Sequence, residues 1–400
     1  MQYLYEILSQ LVSANTVSHR SNAAAMQLLA DHLDDHRFCV RLQHDDQQGV
    51  RKTNLVAWAG PPEPDGLILS GHVDVVPFED QPGWSRDPLR MTLEGDRIYG
   101  RGTSDMKGFI AQCLEAARRV ETRSLERPIA FLFTADEEIG CRGAARLVPA
   151  LPELLGDCPL PRLAWIGEPT SFQVFHAHKG IVAFEVRVIG VGGHSSVPEA
   201  GVNAIAVAAK AIEEIGAIQR ELRGLSSREH GALYRDAPYT TVNLGTIAGG
   251  SALNMIADDC TFSVSYRPLP DLEPLAAYHQ IRERLAALDP RDDGSSDRRA
   301  SIVIGEPIVA PGLRSPRGTS LEAALFELLD AETCSGAPYC TDGGQFKEVG
   351  IDSLICGPGD LDQAHQPDES IGREAFESGA EIVLRVLERL CGGGKGRNPD

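Results

Sequence analysis

Residues 67–77 read LILSGHVDVVP, a short apolar run followed by a histidine and an aspartate two positions apart. The run Leu67–Ser70 is bounded by turn residues, which predicts a buried strand. His72 and Asp74 follow that strand, and at positions i and i+2 they point to the same side. The segment therefore predicts a strand whose carboxyl end carries ionisable side chains.

Three later segments show the same pattern, in which a carboxylate follows an apolar run or a Gly-rich turn: Asp105 in GRGTSDMKG, Glu137 and Glu138 in IAFLFTADEEIG, and Glu168 in LAWIGEPT. The successive intervals, starting from His72, are 33, 32 and 30 residues. About 30 residues is the length of one strand plus one crossover helix. Each group is therefore expected near the carboxyl end of a different strand, the edge where open α/β sheets bind ligands.

The order of helical and strand patterns predicts an α/β fold with a mainly parallel central sheet. Helical patterns lie at Tyr3–Val12, Ala23–Asp34 and Gly108–Val120, and apolar runs at Leu67–Ser70, Ile129–Thr134 and Leu163–Ile166. From about Lys179 the order becomes strand, helix, strand, strand, helix, which predicts a smaller α+β unit. That unit ends in the charged stretch DPRDDGSSDRR (Asp289–Arg299), interpreted as a linker, and the polar tail CGGGKGRNPD is expected to be mobile. We predict a discontinuous core domain (residues 1–178 and 300–400) with an inserted domain (residues 179–299).

Composition narrows the class of protein. The 400 residues carry 57 Asp and Glu against 38 Lys and Arg, a net charge of −19, so nucleic acid and anionic membranes are not expected as partners. The chain shows no apolar run of about 18 residues, the length that a membrane span needs, and its first residues lack the basic start of a secretory signal. Nine cysteines without a CxxC pair indicate reduced thiols and a cytoplasmic location.

A final histidine completes the pattern. His365 lies in LDQAHQPDE after the predicted strand Ser353–Ile355, and the 197 residues that separate it from Glu168 leave room for the inserted domain. Carboxylates and imidazoles that converge on one edge would repel and desolvate one another unless a cation lay among them. Mixed nitrogen and oxygen ligands suit Zn²⁺, Co²⁺ or Mn²⁺, and a carboxylate that serves two ions would give a two-metal hydrolytic site.

These segments together resemble the signatures of the M20 metallopeptidase family, which comprises dinuclear-zinc amidohydrolases. The resemblance rests on GHVDVVP, GRGTSDMKG, TADEEIG, GEPT and AHQPDE, and on GGHSSVPEAGVNA, LNMIADDC and YRPLP, which resemble the family's lid or dimerisation domain. The segments QPGWSRDP, NLGTIAGGSALNMI and CTDGGQF look most like the acetylornithine deacetylase branch. The resemblance implies a zinc-peptidase-like core, an inserted ferredoxin-like lid domain and a homodimer.

The resemblance also assigns roles at the metal centre. Asp105 would bridge two divalent ions, with Zn²⁺ expected and Co²⁺ as the alternative. His72 and Glu168 would complete the ligands of one ion, and Glu138 and His365 those of the other. Asp74 would hydrogen-bond His72 and fix its tautomer, as ligating histidines usually require. Glu137 would be the general base that accepts a proton from the hydrolytic water.

Further residues would contact the substrate. His194 resembles the family histidine that reaches the partner subunit's site to stabilise the oxyanion, and Asn254 and Arg267 resemble lid residues that hold the substrate, Arg267 by its α-carboxylate. Thr341 is followed by Asp342 where the branch often carries a glutamate. Asp342 could still face a cationic side chain, although the carboxylate is shorter by one methylene.

The predicted activity is hydrolysis of an N-acyl L-amino acid, with N-acetyl-L-ornithine in arginine biosynthesis as the first choice. N-succinyl-diaminopimelate, N-acetylcitrulline and dipeptides remain alternative substrates. A catalytically silent ligand-binding relative is a different class, and the complete set of five ligands together with Glu137 counts against it. A nucleotide-binding role for GRGTSDMKG is excluded because its lysine precedes a glycine and the GxxxxGK[ST] spacing is missing.

Overall fold

The structure is a computed structural model that describes residues 1–288 and 299–392. The predicted linker and the predicted mobile tail therefore lie, except for Arg299, Cys391 and Gly392, outside the described residues. The chain divides into two compact units. The core unit comprises Met1–His176, Leu313–Ser335 and the chain from Thr341 onward, and the second unit comprises Ala177–Gly312 and Gly336–Cys340.

The chain forms eleven α-helices and nineteen β-strands among the described residues. The helices are α1 (Gln2–Ser13), α2 (Ala23–Asp35), α3 (Lys107–Arg119), α4 (Arg142–Leu147), α5 (Leu151–Leu155), α6 (Ala204–Arg223), α7 (Arg228–Leu233), α8 (Ala276–Ala287), α9 (Ser320–Leu329), α10 (Gly343–Lys347) and α11 (Arg373–Cys391). The strands are β1 (Cys39–Gln47), β2 (Val50–Ala59), β3 (Leu67–His72), β4 (Thr92–Glu94), β5 (Arg97–Tyr99), β6 (Ile129–Thr134), β7 (Leu163–Ile166), β8 (Val174–His178), β9 (Ile181–Ile189), β10 (Gly193–His194), β11 (Thr241–Gly249), β12 (Met255–Ile256), β13 (Asp259–Arg267), β14 (Ser301–Ile304), β15 (Ile308–Ala310), β16 (Leu313–Arg314), β17 (Cys334–Ala337), β18 (Asp352–Ile355) and β19 (Ser370–Gly372). Among the described residues, none of these helices combines the length and the hydropathy of a membrane span.

The central sheet has the order β1-β2-β6-β3-β7-β18-β8-β16, with β17 also paired to β8. Its four middle strands, β6, β3, β7 and β18, are parallel, whereas β1 and β2 form an antiparallel hairpin on one side. The prediction of a mainly parallel central sheet is confirmed. Parallel strands share one carboxyl edge, so loops that follow β3, β6, β7 and β18 emerge on the same side of the sheet.

Helices cover both faces of this sheet, which explains why the parallel strands β3, β6 and β7 are mostly apolar. Leu67 and Leu69 of β3 pack in a cluster with residues of α1, α2, α3 and α11. Ile68, between them, packs in a second cluster with residues of α4, α5 and α10. Phe131 and Leu132 of β6 divide between the same two clusters, as the two-residue period of a strand requires.

The second unit is an antiparallel sheet in the order β11-β13-β9-β14, with β15 also paired to β9. Its order along the chain is β9, α6, β11, β13, α8, β14, the strand and helix order of a ferredoxin-like unit. Alternate residues of β9 and β13 pack with α6 and α8 in a separate hydrophobic cluster. The α+β character predicted from the sequence is therefore confirmed.

The end of the second unit differs from the predicted end at residue 299. Ser301–Ile304 and Ile308–Ala310 pair with β9 and belong to the second unit, which continues to Gly312. These strands are short and half-exposed, and they follow a charged stretch, so composition placed the boundary too early. The antiparallel pairing to β9 determines where the unit ends.

Candidate metal centre

Each predicted metal ligand follows a parallel strand or precedes a helix at the carboxyl edge of the central sheet. His72 is the last residue of β3, Glu138 follows β6, and Glu168 lies two residues beyond β7. Asp105 precedes α3, and His365 lies in the loop that follows β18. The distances between their side chains show that the five residues converge. The interval argument holds for His72, Glu138 and Glu168, whereas Asp105 lies in the connection between β3 and β6 and follows no strand of the central sheet.

The first group of possible ligands contains His72, Asp105 and Glu168. His72 Nε2 lies 3.1 Å from Asp105 Oδ1 and 3.9 Å from Glu168 Oε2, and all three residues are buried. Glycine is required immediately before Glu168, because a Cβ on Gly167 would come within 1.9 Å of the Phe109 ring. The close packing of Phe109 against this turn therefore helps to fix the Glu168 backbone.

The second group contains Asp105, Glu138 and His365. His365 Nε2 lies 3.2 Å from Asp105 Oδ2 and 3.0 Å from Glu138 Oε2. The His72 imidazole is fully buried, whereas half of the His365 side chain is exposed. Asp105 is the member common to both groups, and each of its oxygens faces a different histidine.

The donor atoms fit a pair of divalent cations. In each group one imidazole nitrogen and two carboxylate oxygens lie within 4.8 Å of one another. Two ligands of a tetrahedral ion with bonds of about 2.0–2.2 Å are about 3.4 Å apart, and the histidine-to-carboxylate distances of 3.0–3.9 Å are near that value. Nitrogen and oxygen donors in this ratio suit Zn²⁺, Co²⁺ or Mn²⁺. The residues present could therefore hold two ions that share Asp105.

Electrostatics reflect the crowding of carboxylates at this edge. Burial, together with the charge of Asp105, raises the pKa of Glu138 to about 7. Burial also raises the pKa of Glu168 well above its ordinary value, although the nearby His72 opposes the shift. Hydrogen bonds to Asp105 and Glu138 raise the pKa of His365 to about 10. Like charges held this close in a buried site are typical of groups that are arranged around cations.

Asp74 contacts the centre in a way that differs from the prediction. The hydrogen bond to His72 Nδ1 is made by the main-chain oxygen of Asp74 at 2.9 Å, whereas its carboxylate lies 3.7 Å from that nitrogen. The carboxylate instead accepts the backbone N–H groups of Glu137 at 3.1 Å and Glu138 at 3.3 Å, and the Ser18 hydroxyl at 2.8 Å. Asp74 therefore fixes the turn that carries both glutamates.

Glu137 lies beside the two groups of possible ligands and belongs to neither. Its Oε2 is 4.0 Å from His72 Nε2, so the carboxylate faces the same space as the ligand atoms. Burial raises the pKa of Glu137 well above its ordinary value, and the charges of Glu168 and Asp342 add to that shift while His72 opposes it. A carboxylate next to the ion site but outside both ligand groups can accept and return a proton.

Two supporting carboxylates were not identified from the sequence. Asp136 is fully buried and lies 2.8 Å from both Lys52 Nζ and Arg146 Nη2. It adopts a left-handed conformation with φ of 57°, directly before Glu137. Lys52 also donates to the main-chain oxygens of Ser18 and Arg20. The position of Asp136 in the motif TADEEIG was the only sequence signal for this ion pair. Nothing in the sequence around Lys52 indicates that Lys52 is buried against a carboxylate.

The second of these carboxylates, Glu369, holds the loop of Asp105. It accepts the backbone N–H groups of Gly102, Ser104 and Asp105 at 2.9–3.1 Å. It also forms a fully buried ion pair with Arg101 at 2.9 Å. Glu369 is the last residue of the quoted motif AHQPDE, so its position in that motif was visible and its role was not.

Thr341 and Asp342 are buried next to the carboxyl end of β6. Thr134 Oγ1 donates a 2.6 Å hydrogen bond to Asp342 Oδ2, and Thr341 Oγ1 accepts the backbone N–H of Gly343. Asp342 also forms a third group of possible ligands with Glu137 and Cys141. The structure therefore brings Asp342 close to Glu137, which sequence reasoning did not predict.

The remaining predicted substrate residues belong to the second unit. His194 and Asn254 are exposed neighbours: the Ser195 N–H donates to the main-chain oxygen of Asn254 at 3.1 Å. His194 Nδ1 lies 2.7 Å from Ser196 Oγ. Arg267 is half-buried and is the last residue of β13, paired with Thr241 of β11. Their roles towards a substrate remain predictions.

Comparison with known proteins decides the family. The sequence profile of peptidase family M20/M25/M40 matches residues 68–389. The chain belongs to this family. It is therefore a metal-dependent hydrolase, and the ligand groups described above fit a dinuclear centre.

Relatives and solved structures of the M20 family extend the comparison. The chain is 37% identical over 387 residues to an acetylornithine deacetylase of Salmonella arizonae, covering 96% of each chain. It is 36% identical over 393 residues to the acetylornithine deacetylase of Salmonella paratyphi B, covering 96% of this chain and 97% of the relative.

Two solved structures share the fold at low identity. An M20 family metallo-carboxypeptidase from Sulfolobus solfataricus superposes with a TM-score of 0.79 at 18% identity, covering 98% of this chain and 99% of the other. A dinuclear metal-binding M20 peptidase from Bacillus subtilis gives a TM-score of 0.63 at 16% identity, covering 96% of this chain and 97% of the other. These similarities establish the M20 fold.

Proposed function

We propose that the protein hydrolyses the amide bond of N-acyl L-amino acids, with N-acetyl-L-ornithine as substrate and L-ornithine and acetate as products. The observation that carries the proposal is Asp105, whose two carboxylate oxygens face His72 and His365 in two ligand groups. The relatives that are 36–37% identical over nearly the whole chain are acetylornithine deacetylases, which supports the choice of substrate.

His72, Asp105 and Glu168 would hold one cation, and Asp105, Glu138 and His365 the other, with Zn²⁺ as the proposed metal and Co²⁺ as the alternative. When bound, the cations polarise the scissile carbonyl and lower the pKa of the attacking water. Burial of His72, Asp105 and Glu168 excludes bulk water from one side of the centre. Electrostatic interactions are stronger in such a dry site.

Glu137 is the proposed general base. It would take a proton from the attacking water and pass the proton to the leaving amine, as an unligated carboxylate at this position can do. Asp74 would keep Glu137 in place through the hydrogen bond to the Glu137 N–H. Asp74 would also fix His72 through its main-chain oxygen, which orients the imidazole with Nε2 towards the ions.

Further residues would hold the substrate. We assign Arg267 to the α-carboxylate, Asn254 to further polar contacts and His194 to the developing oxyanion. Asp342, with Thr341 beside it, would face a cationic side chain. A carboxylate that already lies next to Glu137 is suited to a substrate with a positive charge, such as N-acetyl-L-ornithine.

A homodimer in the cytoplasm is the proposed state. Among the described residues, β11 pairs with β13 and presents Leu244 and Ile247, which are 39% and 58% exposed. An exposed edge strand with apolar side chains is a template for pairing with another chain.

If His194 acts across such a dimer, mixing His194→Ala subunits with Glu137→Ala subunits should restore partial activity. Complete absence of recovery in the mixed dimers rejects action of His194 on the partner's site.

The test is a deacylation assay of the purified protein on N-acetyl-L-ornithine, N-acetylcitrulline, N-succinyl-diaminopimelate and a dipeptide. We expect the highest kcat/KM for N-acetyl-L-ornithine. Glu137→Gln should retain both metals and lose about 10²–10⁴-fold in kcat, with Glu381→Gln on the surface as the matched control. A higher kcat/KM for another substrate overturns the substrate assignment, and near-normal turnover by Glu137→Gln removes the proposed base.

A further inference from the structure

A third cluster of possible ligands includes Glu137. It consists of Glu137, Cys141 and Asp342, whose ligand atoms all lie within 4.8 Å of one another. Cys141 Sγ is 3.4 Å from Glu137 Oε1, whereas the other oxygen of Glu137, Oε2, is the one that faces His72. One oxygen of the proposed general base is therefore near the Cys141 thiol, and the other is near the His72 imidazole.

Local backbone structure builds this cluster. The Cys141 N–H donates to the Glu137 main-chain oxygen at 2.9 Å and closes a turn whose last two residues, Gly140 and Cys141, have φ of 102° and 53°. This turn brings the Cys141 thiol to the Glu137 carboxylate. Asp342 is held from the opposite side by the 2.6 Å hydrogen bond from Thr134 Oγ1. Cys141 and Asp342 are both buried, and the side chain of Glu137 is 11% exposed, so a small ion would enter past Glu137.

The distances and the donor types fit a thiophilic divalent cation. For a tetrahedral ion with bonds of about 2.3 Å to sulfur and 2.0–2.2 Å to oxygen, the separation of two ligand atoms is about 3.5 Å, close to the observed separation of Cys141 Sγ and Glu137 Oε1. One thiolate and two carboxylates suit Zn²⁺ or Cd²⁺. The other two groups contain histidine and carboxylate only, so sulfur distinguishes this site from both.

We propose that Glu137, Cys141 and Asp342 form a third, inhibitory metal site that binds Zn²⁺ or Cd²⁺ in excess of the two ions of the proposed centre. On binding, the Cys141 thiol loses its proton to solvent and the thiolate ligates the ion. Glu137 then ligates through Oε1 and is no longer available as a base. Asp342 is withdrawn from the substrate at the same time, so both effects lower turnover.

The binding itself is independent of the proposed function, and only the inhibition rests on Glu137 being the general base. The primary test therefore does not use activity. Metal-free protein is titrated with Cd²⁺ while the ultraviolet thiolate-to-Cd²⁺ charge-transfer band is recorded. In the wild type, we expect the first two equivalents of Cd²⁺ to bind without producing the charge-transfer band. The third equivalent should produce the band.

The matched variants are Cys141→Ala and Cys158→Ala, which remove one buried thiol each. Among the described residues, Cys141 is the only cysteine in a group of possible ligands. Cys141→Ala should abolish the band and the third equivalent while the first two remain, and Cys158→Ala should behave as the wild type. A band that is missing in the wild type, or that persists in Cys141→Ala, overturns the proposal.

Inhibition is the second readout. Excess Zn²⁺ should lower wild-type turnover by about 10²-fold at saturation, because loss of a general base costs about 10²–10⁴-fold. In Cys141→Ala the ratio of activity in excess Zn²⁺ to activity at two equivalents should stay near one. If the charge-transfer band appears and no substrate is hydrolysed, the third metal site is supported and the proposed function is rejected. If substrate is hydrolysed and neither the band nor inhibition is seen, the third metal site is rejected and the proposed function is not.

Discussion

The carboxylate of Asp74 accepts a 3.1 Å hydrogen bond from the backbone N–H of Glu137. The same side chain receives the Glu138 N–H and the Ser18 hydroxyl, so it links the N-terminal segment to the turn after β6. Of the Asp74 atoms, only the main-chain oxygen lies at hydrogen-bonding distance from His72. Removing the Asp74 carboxylate should therefore disturb the two glutamates more than it disturbs His72.

Asp74→Asn tests this relationship. The asparagine NH₂ would face a backbone N–H, so the turn should shift, and we expect metal affinity to fall by about 10–100-fold together with kcat. Metal affinity is measured by competition with a chelator, and kcat on the metal-saturated variant. Ser18→Ala is the control, because it removes a single hydrogen bond to Asp74 and should have a smaller effect. Equal effects of the two variants would contradict the account.

Lys52→Met should destabilise the core unit. Lys52 and Asp136 form a buried ion pair at 2.8 Å. Because Arg146 still pairs with Asp136 in the variant, the buried carboxylate keeps one cation, and we expect a loss of about 1.5–3 kcal/mol, the range for a hydrogen bond to a charged group. Denaturant unfolding measures the change in the free energy of unfolding. Glu79→Gln, which breaks the exposed pair of Glu79 and Arg20, is the control and should change stability by less than about 1 kcal/mol. A Lys52→Met variant as stable as that control would argue against a buried pair.

Glu369→Gln should weaken metal binding without touching a proposed ligand. Glu369 holds the backbone of the Asp105 loop through Gly102, Ser104 and Asp105. We expect a loss of metal affinity of about 10–100-fold, measured by isothermal titration of metal-free protein. Arg101→Met, which removes the buried cation of the same pair, should act in the same direction. Unchanged affinity in both variants would show that this loop does not position Asp105.

Stability should depend on pH through Glu322, near the start of α9. Burial alone would raise its pKa, but hydrogen bonds from Arg317 and from the Gly318 N–H hold the pKa below the ordinary value of 4.5. A lowered carboxylate pKa stabilises the folded state above the unfolded pKa, and this stabilisation is lost as pH falls through the folded pKa. Glu322→Gln should therefore lower the free energy of unfolding by about 1–2 kcal/mol at pH 7.

The difference between wild type and Glu322→Gln should close as the pH falls below 4.5. Denaturant unfolding at a series of pH values measures it. Glu327→Gln, in the more exposed pair of Glu327 and Arg389, serves as the control and should show little dependence. A difference between Glu322→Gln and wild type that grows towards low pH would contradict the sign of the shift.

The parallel core was predictable because its signals are local. Ile129–Thr134 and Leu163–Ile166 are apolar throughout and appear as strands with those bounds, since strands buried on both faces need no polar position. The hairpin of β1 and β2 was missed. Cys39–Gln47 mixes charged, polar and apolar residues without alternation, and its pairing with Val50–Ala59 depends on contacts that no local pattern reports.

The candidate site also has a part that the sequence predicts and a part that it does not. Side chains that follow strands, such as His72 and Glu168, were predictable from spacing, because parallel strands share a carboxyl edge. The network behind them was not predictable. Whether Asp74 contacts His72 by its carboxylate or by its main chain depends on side-chain conformation, and whether Lys52 reaches Asp136 depends on a contact between residues 84 positions apart.

We expect two cations at the carboxyl edge of the sheet, with Asp105 between them and Glu137 outside both ligand sets. Anomalous diffraction at the zinc absorption edge, from crystals of the protein loaded with two equivalents of Zn²⁺, locates such ions directly. We predict two anomalous peaks, one within bonding distance of His72, Asp105 and Glu168, and the other within bonding distance of Asp105, Glu138 and His365. Peaks away from Asp105, or a single peak at full loading, would contradict this arrangement.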